Sequence, residues 1–319
     1  MKIVIPDDYQ DAVRHLDCFT KLEGQEVTVY RDTVKDVDTL AQRFQDAEVL
    51  VLIRERTTIT EALLERLPHL KLISQTGKSI PHIDREACTR HGVAIAIGGG
   101  SPYAPAELTW GLVLAAMRHI SQEVAGMKAG RWQTTLGTNL HGRTLGIFGY
   151  GKIGSLVAGY GRAFGMNVLV WGREGSLARA GADGFETVAN KTELFRRSDV
   201  LSLHISLMKG TLGIVTRADL AEMKPSSLLV NTSRAGLIEP GVLEEALRSG
   251  RPGFAALDVY EEEPVIDSPL LHMENVVCTP HIGYVEKDGY ELFFNAAFDN
   301  LLAFAEGHPK NLANPEALK

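Results

Sequence analysis

The sequence predicts an α/β protein with two domains, each built around a parallel β-sheet. Three observations predict this fold class. The chain has 319 residues, a length that suggests two domains at roughly 150 residues each. Short apolar runs alternate with amphipathic helical patterns, as they do in βαβ units. A long apolar helical pattern interrupts this alternation from Pro105, and the alternation starts again at Thr144.

Residues 1–100 carry the first series of predicted strands. The β-branched, apolar run at 49–54 is followed by a capped amphipathic helix at 60–67. Strands that are separated by helices indicate a parallel sheet, so this part of the chain is expected to form one small α/β domain. The predicted strands span 2–6, 27–30, 49–54, 70–75 and 93–97.

The helical pattern at 105–119, with a second stretch to Trp132, is apolar on every face. Such a helix is buried against a large neighbour, so the pattern predicts a domain junction or a subunit interface. The next segment, 133–143, is polar and contains glycine, which predicts a loop. The apolar residues of the helix are Leu108, Trp110, Leu112, Val113, Leu114 and Met117.

From Thr144 the alternation is more regular, and it predicts a doubly wound parallel sheet. The predicted strands span 145–148, 168–171, 200–204, 228–231, 255–259 and 276–279. The predicted helices span 153–164, 192–197, 240–248 and, last in the chain, 287–306.

The composition excludes several classes of protein. Lys and Arg number 33 against 40 Asp and Glu, a formal net charge of −7, so we expect no nucleic-acid partner. No apolar run approaches the roughly 20 residues of a spanning helix, and the N-terminus lacks a secretory signal. We therefore expect no membrane partner and a cytoplasmic protein. Cys18, Cys88 and Cys278 are too scattered for a disulfide framework or a metal site.

The glycine-rich segment 149–154 follows an apolar strand and opens an amphipathic helix. This context distinguishes a dinucleotide-binding fingerprint from an ordinary strand–helix turn, which is the alternative. The first glycine permits the tight turn, the second lets the backbone approach a pyrophosphate, and the third lets the helix pack closely on the strand. The predicted cofactor-binding residues are Gly149, Gly151, Lys152, Ile153 and Gly154.

Gly172 stands where the fingerprint expects an acidic residue, and Arg173 follows it. A carboxylate at this place binds the ribose 2′-OH of NAD, whereas a guanidinium attracts the 2′-phosphate of NADP. The pair favours NADP over NAD. Two alternatives stay open, because Glu174 can turn back to the ribose and Arg173 can be a solvated loop charge.

Three polar residues of complementary type each follow a predicted strand: Arg234, Glu263 and His281. Ligands of open parallel sheets bind outside the carboxyl ends of the strands, so these three are expected to converge on one crevice. Each also has an ordinary interpretation taken alone, as a surface charge, a member of an acidic run or a core histidine.

Four ordered motifs, GYGKIG, VNTSRAGLIEP, ALDVYEEEP and TPHIG, resemble those of the D-isomer-specific 2-hydroxyacid dehydrogenases. That family includes D-3-phosphoglycerate dehydrogenase and glyoxylate/hydroxypyruvate reductase. The resemblance implies a Rossmann-type NAD(P)-binding domain, 101–284, inserted into a flavodoxin-like substrate-binding domain, 1–100 plus 285–319. It also implies an oxidoreductase that acts on a small 2-hydroxy acid or 2-keto acid.

Matched by motif, Arg234, Glu263 and His281 take the family's catalytic positions. His281 would give a proton to the substrate carbonyl during reduction and remove it during oxidation. Glu263 would hydrogen-bond and orient the imidazole, and Arg234 would bind the substrate carboxylate. The resemblance adds three residues to the cofactor site: Thr232, Asp258 and Gly283.

Arg54, Gly77 and Lys78 resemble substrate-binding positions, and Gly77 matches the first glycine of the family's substrate loop. Ser79 replaces the second glycine, which leaves the identity of the substrate open. Arg54, Arg56 and Lys78 can accommodate a phosphate or a second carboxylate, or can be ordinary surface charges.

The family resemblance leaves two classes of function. The first is a dehydrogenase or reductase of D-3-phosphoglycerate, glyoxylate or hydroxypyruvate; formate dehydrogenase is disfavoured because that branch has glutamine where this chain has Glu263. The second is a dinucleotide-sensing corepressor with little turnover. No regulatory amino-acid-binding domain is expected, and the family implies a homodimer formed through the cofactor domain.

Overall fold

The computed structural model describes all 319 residues, Met1–Lys319, which form two compact units. The split unit contains Met1–Ser101 and Val285–Lys319, and the inserted unit contains Pro102–Tyr284. The strands are β1 Lys2–Ile5, β2 Glu26–Val29, β3 Val49–Leu52, β4 Leu72–Gln75, β5 Ala94–Ile97, β6 Thr144–Phe148, β7 Asn167–Trp171, β8 Glu186–Thr187, β9 Val200–Leu203, β10 Leu228–Asn231, β11 Phe254–Leu257 and β12 Val276–Cys278.

The α-helices connect these strands, and none of them is both long and apolar enough to cross a membrane. They are α1 Val37–Phe44, α2 Glu61–Leu64, α3 Arg85–Arg90, α4 Tyr103–Met117, α5 Ile120–Lys128, α6 Lys152–Ala163, α7 Glu174–Ala182, α8 Lys191–Arg197, α9 Arg217–Ala221, α10 Val242–Arg248 and α11 Lys287–Ala305.

The sheet of the split unit has the order β2-β1-β3-β4-β5, and all its strand pairs are parallel. This is the flavodoxin-like order. Every residue of β3 and β4 is buried, as expected for a parallel sheet with helices on its faces. Helix α11 closes one face of the sheet, where the Ser74 hydroxyl donates to the Ala297 carbonyl at 2.8 Å.

The sheet of the inserted unit has the order β12-β11-β10-β9-β6-β7-β8, again with parallel pairs throughout. The strand order reverses at β6, between β7 and β9, which is the arrangement of a Rossmann-type sheet. The predicted fold class, a Rossmann-type unit inserted into a flavodoxin-like unit, is therefore confirmed. The binding roles assigned to the two domains stay predictions.

The long apolar helix α4 is mostly internal to the inserted unit. Trp110 packs edge-on against Phe164, with ring centroids 4.9 Å apart, and seven residues of the helix are buried. Helix α5 continues the pattern but exposes several apolar side chains. The predicted helix at 60–67 is shorter than expected, since the α-helix spans only Glu61–Leu64. Helices α1, α3, α7 and α9 lie outside the predicted helical patterns; α7 contains two glycines, which weaken the helical signal.

Candidate functional site

The three complementary residues Arg234, Glu263 and His281 follow β10, β11 and β12, which are neighbouring strands of one parallel sheet. The carboxyl ends of these strands lie at the same edge of the sheet. Gly149, the first glycine of the fingerprint, follows β6 at that edge as well. The topology therefore brings the segments that carry these four residues to a single edge, next to the point where the strand order reverses.

Glu263 and His281 form a direct hydrogen bond, with the carboxylate Oε2 2.6 Å from the imidazole Nδ1. Their side chains are 22% and 23% exposed, so the pair is shielded from most of the solvent but accessible to a ligand. A carboxylate on Nδ1 fixes the orientation of the ring and keeps the proton on that nitrogen. Any exchange of a proton with a substrate must therefore use Nε2.

The backbone of His281 is held in the left-handed region, with φ 52°. A residue other than glycine is strained there, at a cost of about 1–3 kcal/mol, and persists only if its surroundings hold it. The buried carboxylate of Asp258 does so by accepting hydrogen bonds from the amides of Ile282 at 2.8 Å and Gly283 at 2.9 Å. The hydroxyl of Thr279 donates to the same carboxylate at 2.6 Å.

Tyr260 links the loop that carries Glu263 to the turn that carries His281. Its hydroxyl donates to the carbonyl of Thr279 at 2.9 Å, and its amide donates to Oε1 of Glu263 at 3.1 Å. Burial raises the pKa of the Tyr260 hydroxyl, which therefore remains a donor across the physiological range. Sequence reasoning missed this residue, although its position between a strand and an acidic run is typical of a buried aromatic with a polar tip.

Arg234 lies on a turn that a buried asparagine organises. Asn231, the last residue of β10, is 1% exposed; its Nδ2 donates to the Arg234 carbonyl at 2.9 Å and its Oδ1 accepts from the Ser233 amide at 3.1 Å. The guanidinium of Arg234 donates to the Ser233 carbonyl at 2.7 Å. Asn231 was also missed, because an asparagine in a run of apolar residues gives no sign of which groups it bonds.

The glycine fingerprint has the space that a dinucleotide needs. Gly149 has φ 99°, and a Cβ on Gly154 would lie 2.1 Å from the Gly149 carbonyl oxygen, so neither position accepts a side chain. A Cβ on Gly151 would meet no atom within 4 Å. Gly151 precedes α6, whose first turn has no capping side chain, so open space and helix N–H groups meet where a pyrophosphate binds.

The residues predicted to contact the adenosine ribose lie beside the fingerprint. A Cβ on Gly172 would be 3.6 Å from the Cα of Gly149, so the two turns are adjacent. Arg173 precedes α7 and is exposed, with one guanidinium nitrogen 3.4 Å from the sulfur of Met208. Glu174 is the first residue of α7, and its side chain is exposed.

The split unit carries the second group of predicted site residues, after β3 and β4. The Arg54 amide donates to the Thr76 hydroxyl at 3.0 Å, and its carbonyl accepts from Gln75 Nε2 at 2.8 Å. Arg54 has φ 54° and Gly77 has φ 143°. A Cβ on Gly77 would lie 2.2 Å from Nη1 of Arg54, so glycine makes room for the guanidinium. Lys78 is exposed.

A family model described as "D-isomer specific 2-hydroxyacid dehydrogenase, NAD binding domain" matches residues 110–283, more than half of the chain. The chain belongs to the D-isomer specific 2-hydroxyacid dehydrogenase family. Membership confirms the family resemblance, and with it an oxidoreductase that acts on a CH–OH group with NAD or NADP.

Among relatives, the chain is 39% identical to D-3-phosphoglycerate dehydrogenase of Methanocaldococcus jannaschii over 89% of its own length. It spans only 53% of that longer protein. It is 36% identical to glyoxylate reductase of Aeropyrum pernix, over 88% of this chain and 87% of that protein.

Solved structures of the family superpose closely on this chain. A Ralstonia solanacearum oxidoreductase, provisionally described as a D-3-phosphoglycerate dehydrogenase, is 56% identical, with a TM-score of 0.98 over 100% of this chain and 98% of that one. D-lactate dehydrogenase of Aquifex aeolicus, solved with NAD and lactic acid, is 26% identical, with a TM-score of 0.78 over 98% of each chain. Neither these two proteins nor the two relatives above is described as a corepressor.

Two of the remaining predicted cofactor-binding residues, Thr232 and Gly283, have hydrogen-bond partners within the protein. The Thr232 hydroxyl lies 2.6 Å from that of Thr109, and Gly283 bonds to Asp258 as described above. Lys152 is exposed at the start of α6, while Ile153 packs on the core. Contacts of these residues with a cofactor remain predictions.

His204 directly follows β9, and its Nε2 lies 2.8 Å from the Ser202 hydroxyl. Burial lowers its pKa to about 4, so the ring is neutral near pH 7. A ring that is neutral near pH 7 has no proton on both nitrogens to give away, so His204 is a poor candidate for the catalytic acid.

Proposed function

We propose that this dehydrogenase interconverts a small 2-keto acid and the corresponding D-2-hydroxy acid, with Glu263, His281 and Arg234 as its catalytic residues. In reduction, a hydride and a proton are added across the carbonyl; in oxidation, both are removed. The bound nicotinamide supplies or accepts the hydride, chemistry that no side chain provides. The residues of the chain have to bind the substrate, orient it and move the proton.

The observation that carries the proposal is the hydrogen bond between Glu263 Oε2 and His281 Nδ1, 2.6 Å long, at the carboxyl edge of the sheet. The carboxylate stabilises the positive charge of the protonated ring and holds Nε2 in one direction. His281 gives the Nε2 proton to the carbonyl oxygen during reduction, and takes the hydroxyl proton during oxidation. Asp258 and Tyr260 hold the loop that carries Glu263 and the turn that carries His281 together through hydrogen bonds.

Arg234 is proposed to bind the carboxylate of the substrate. A guanidinium offers parallel N–H donors that match the two oxygens of a carboxylate, and such a pair fixes the orientation of the adjacent carbonyl. The two hydrogen bonds of the Asn231 side chain to the 231–234 turn support this role. They fix the backbone of the turn, and a fixed backbone limits the positions that the Arg234 side chain can reach.

The cofactor is proposed to be NADPH in preference to NADH. Gly172 provides no carboxylate beside the fingerprint, and Arg173 places an exposed guanidinium next to it. A 2′-phosphate would meet a positive charge there and no fixed negative charge at position 172. Arg173→Ser is expected to reduce kcat/KM for NADPH about tenfold or more and to change that for NADH little.

The substrate is proposed to carry a second anionic group, as D-3-phosphoglycerate and its 2-keto counterpart do. Arg54, Arg56 and Lys78 give the split unit three cationic side chains after the neighbouring strands β3 and β4. Arginine and lysine suit a phosphate, and the similarity to D-3-phosphoglycerate dehydrogenase supports this substrate. The similarity to glyoxylate reductase makes glyoxylate the second candidate, and the similarity to a hydroxypyruvate reductase makes hydroxypyruvate the third.

The deciding experiment is a panel of keto acids with each cofactor. Purified protein is assayed with 3-phosphohydroxypyruvate, hydroxypyruvate and glyoxylate, using NADH and NADPH, and the product is checked for the D configuration. We expect kcat/KM to be greatest for the phosphorylated keto acid with NADPH. A greater kcat/KM for glyoxylate than for 3-phosphohydroxypyruvate would overturn the proposed substrate. Cofactor binding without turnover on any keto acid would favour the corepressor.

We also propose that the protein is a cytoplasmic homodimer that pairs through α5 and the following loop. This continuous segment leaves large apolar side chains in solvent, which a monomer rarely does. A second copy that covers the same segment would bury them. The exposed fractions are 47% for Ile120, 49% for Val124, 66% for Met127, 74% for Trp132 and 93% for Leu136. Light scattering of the wild type and of Leu136→Asp tests the dimer; a wild-type monomer would exclude it.

A further inference from the structure

We infer that Phe293, on the last helix of the chain, is a positioning residue for the Arg54 guanidinium and thereby controls how tightly the anionic end of the substrate is held. The inference rests on the role proposed for Arg54. It concerns a residue more than two hundred positions away in the sequence, in a segment where no motif lies.

Residues of the split unit surround the Arg54 side chain. Nη1 lies 3.4 Å from the carbonyl oxygen of Thr76, the residue that directly follows β4. The guanidinium carbon lies 5.5 Å from the centre of the Phe293 ring. Gly77 leaves the space that the guanidinium occupies, since a Cβ there would be 2.2 Å from Nη1.

The ring of Phe293 is itself fixed in place. A Cβ on Gly100 would lie 2.8 Å from Cε1 and 3.3 Å from Cζ of Phe293, so the ring packs closely against the backbone at residue 100. Phe293 is 6% exposed. Two residues without side chains, Gly77 and Gly100, thus provide room for the guanidinium and for the ring that touches it.

Other aromatic residues of α11 pack against one another in the core of the split unit. Phe294 packs against Tyr290 and Phe298, with ring centroids 5.6 Å away in each case. Phe294 is 1% exposed. Adjacent phenylalanines on one helix therefore have different surroundings, and Phe294 is a matched control for Phe293.

An aromatic ring is a suitable support for a guanidinium that must bind an anion. The ring attracts the cation through its π face and uses none of the N–H donors, so these remain directed at oxygen atoms. A flexible aliphatic support would not hold the plane of the guanidinium. The ring therefore favours one orientation of Arg54 without reducing its capacity for a phosphate or carboxylate.

The experiment compares Phe293→Met, which keeps apolar volume but removes the ring, with Phe293→Tyr, which keeps the ring face. Steady-state kinetics are measured with the keto acid that the panel selects. We expect Phe293→Met to raise KM for the keto acid about three- to tenfold, with kcat within about twofold and cofactor KM unchanged. Phe293→Tyr should restore KM to within about twofold of the wild type.

Phe294→Met separates positioning from stability, because it should lower the melting temperature without changing KM. The double variant with Arg54→Met tests the coupling. If Phe293 acts through Arg54, Phe293→Met should raise KM no further once Arg54 is absent. Additive effects, or a change of KM in Phe294→Met equal to that in Phe293→Met, would overturn the inference.

The outcomes also distinguish the inference from the proposed function on which it rests. If Arg54→Met leaves KM unchanged, the substrate-binding role of Arg54 is wrong and the inference fails with it. If Arg54→Met raises KM while Phe293→Met does not, only the role of Phe293 is wrong.

Discussion

The two units place polar side chains after the strands of parallel sheets, but they support those side chains differently. In the inserted unit, His281 is held by other polar groups, directly by Glu263 and through its turn by Asp258 and Tyr260. In the split unit, the Arg54 guanidinium lies against a carbonyl oxygen, an aromatic ring and a glycine. The partner on Nδ1 sets the tautomer of a histidine that moves a proton, whereas an aromatic face supports a guanidinium without using any of its N–H donors.

The largest effect expected from this comparison is at the proton-transfer site. His281→Ala removes the imidazole that is bonded to Glu263, and we expect kcat to fall by about 10³-fold, because general acid–base catalysis contributes about 10²–10⁴-fold. Cofactor affinity, measured by fluorescence titration, should stay within about twofold. Turnover equal to the wild type would show that another group supplies the proton.

A smaller loss is expected when the carboxylate that supports the histidine is made neutral. Glu263→Gln keeps the size of the side chain and its bond to the Tyr260 amide, but it stabilises a protonated ring less. We expect kcat to fall about 10- to 100-fold with KM for the keto acid little changed. Glu262→Gln is the control, since that neighbouring side chain is exposed. Equal losses in both variants would mean that net charge, not the hydrogen bond, matters.

A third test substitutes one glycine in each unit and compares the effects on cofactor binding and on KM for the keto acid. Gly151→Val fills open space where a pyrophosphate should approach, and should weaken cofactor binding about tenfold with KM for the keto acid unchanged. Gly77→Ala pushes the Arg54 guanidinium aside, and should raise KM for the keto acid about tenfold with cofactor affinity unchanged. Kinetics and cofactor titration on both variants measure the contrast. Two variants with the same defect would contradict a division of labour between the units.

The sequence predicted the contiguous glycine motif directly, whereas the pairing of Glu263 with His281 depended on the family motifs. The fingerprint at 149–154 is contiguous, and its strand–turn–helix context identified both the Rossmann-type unit and the glycines with restricted space. Glu263 and His281 come from separate loops, and the family motifs were needed to pair them. Their hydrogen bond agrees with that expectation. Contacts with substrate and cofactor, and the dimer, remain predictions.

Other parts of the site could not be found from sequence. Asn231 and Tyr260 act through hydrogen bonds to backbone groups, which leave no pattern in side-chain types. Phe293 meets Arg54 only because α11 returns to the split unit after the inserted unit, and an apolar residue on an amphipathic helix predicts a core position. Long-range contacts of this kind depend on tertiary structure rather than on local spacing.

The smallest expected effect concerns stability and involves one partly buried histidine in each unit, His82 and His204. Burial lowers the pKa of His82 and of His204 to about 4 from about 6.5, so the unfolded chain binds these protons more tightly. The stability that each neutral ring contributes is therefore complete above about pH 6.5 and is lost as the pH falls towards 4. Burial raises the pKa of Asp7 and of Asp8, and these two carboxyl groups therefore favour the folded state in acid, opposite to the histidines. The test for this reason compares each histidine variant with the wild type.

Denaturant unfolding at pH 7 and pH 4.5 should show that His204→Asn and His82→Asn each reduce the acid-induced loss of unfolding free energy, by about 1–2 kcal/mol. At pH 7, His204→Asn should destabilise more, because the His204 ring bonds Ser202 whereas both ring nitrogens of His82 are buried without a hydrogen-bond partner. An unchanged pH dependence in both variants would mean that other groups dominate acid unfolding.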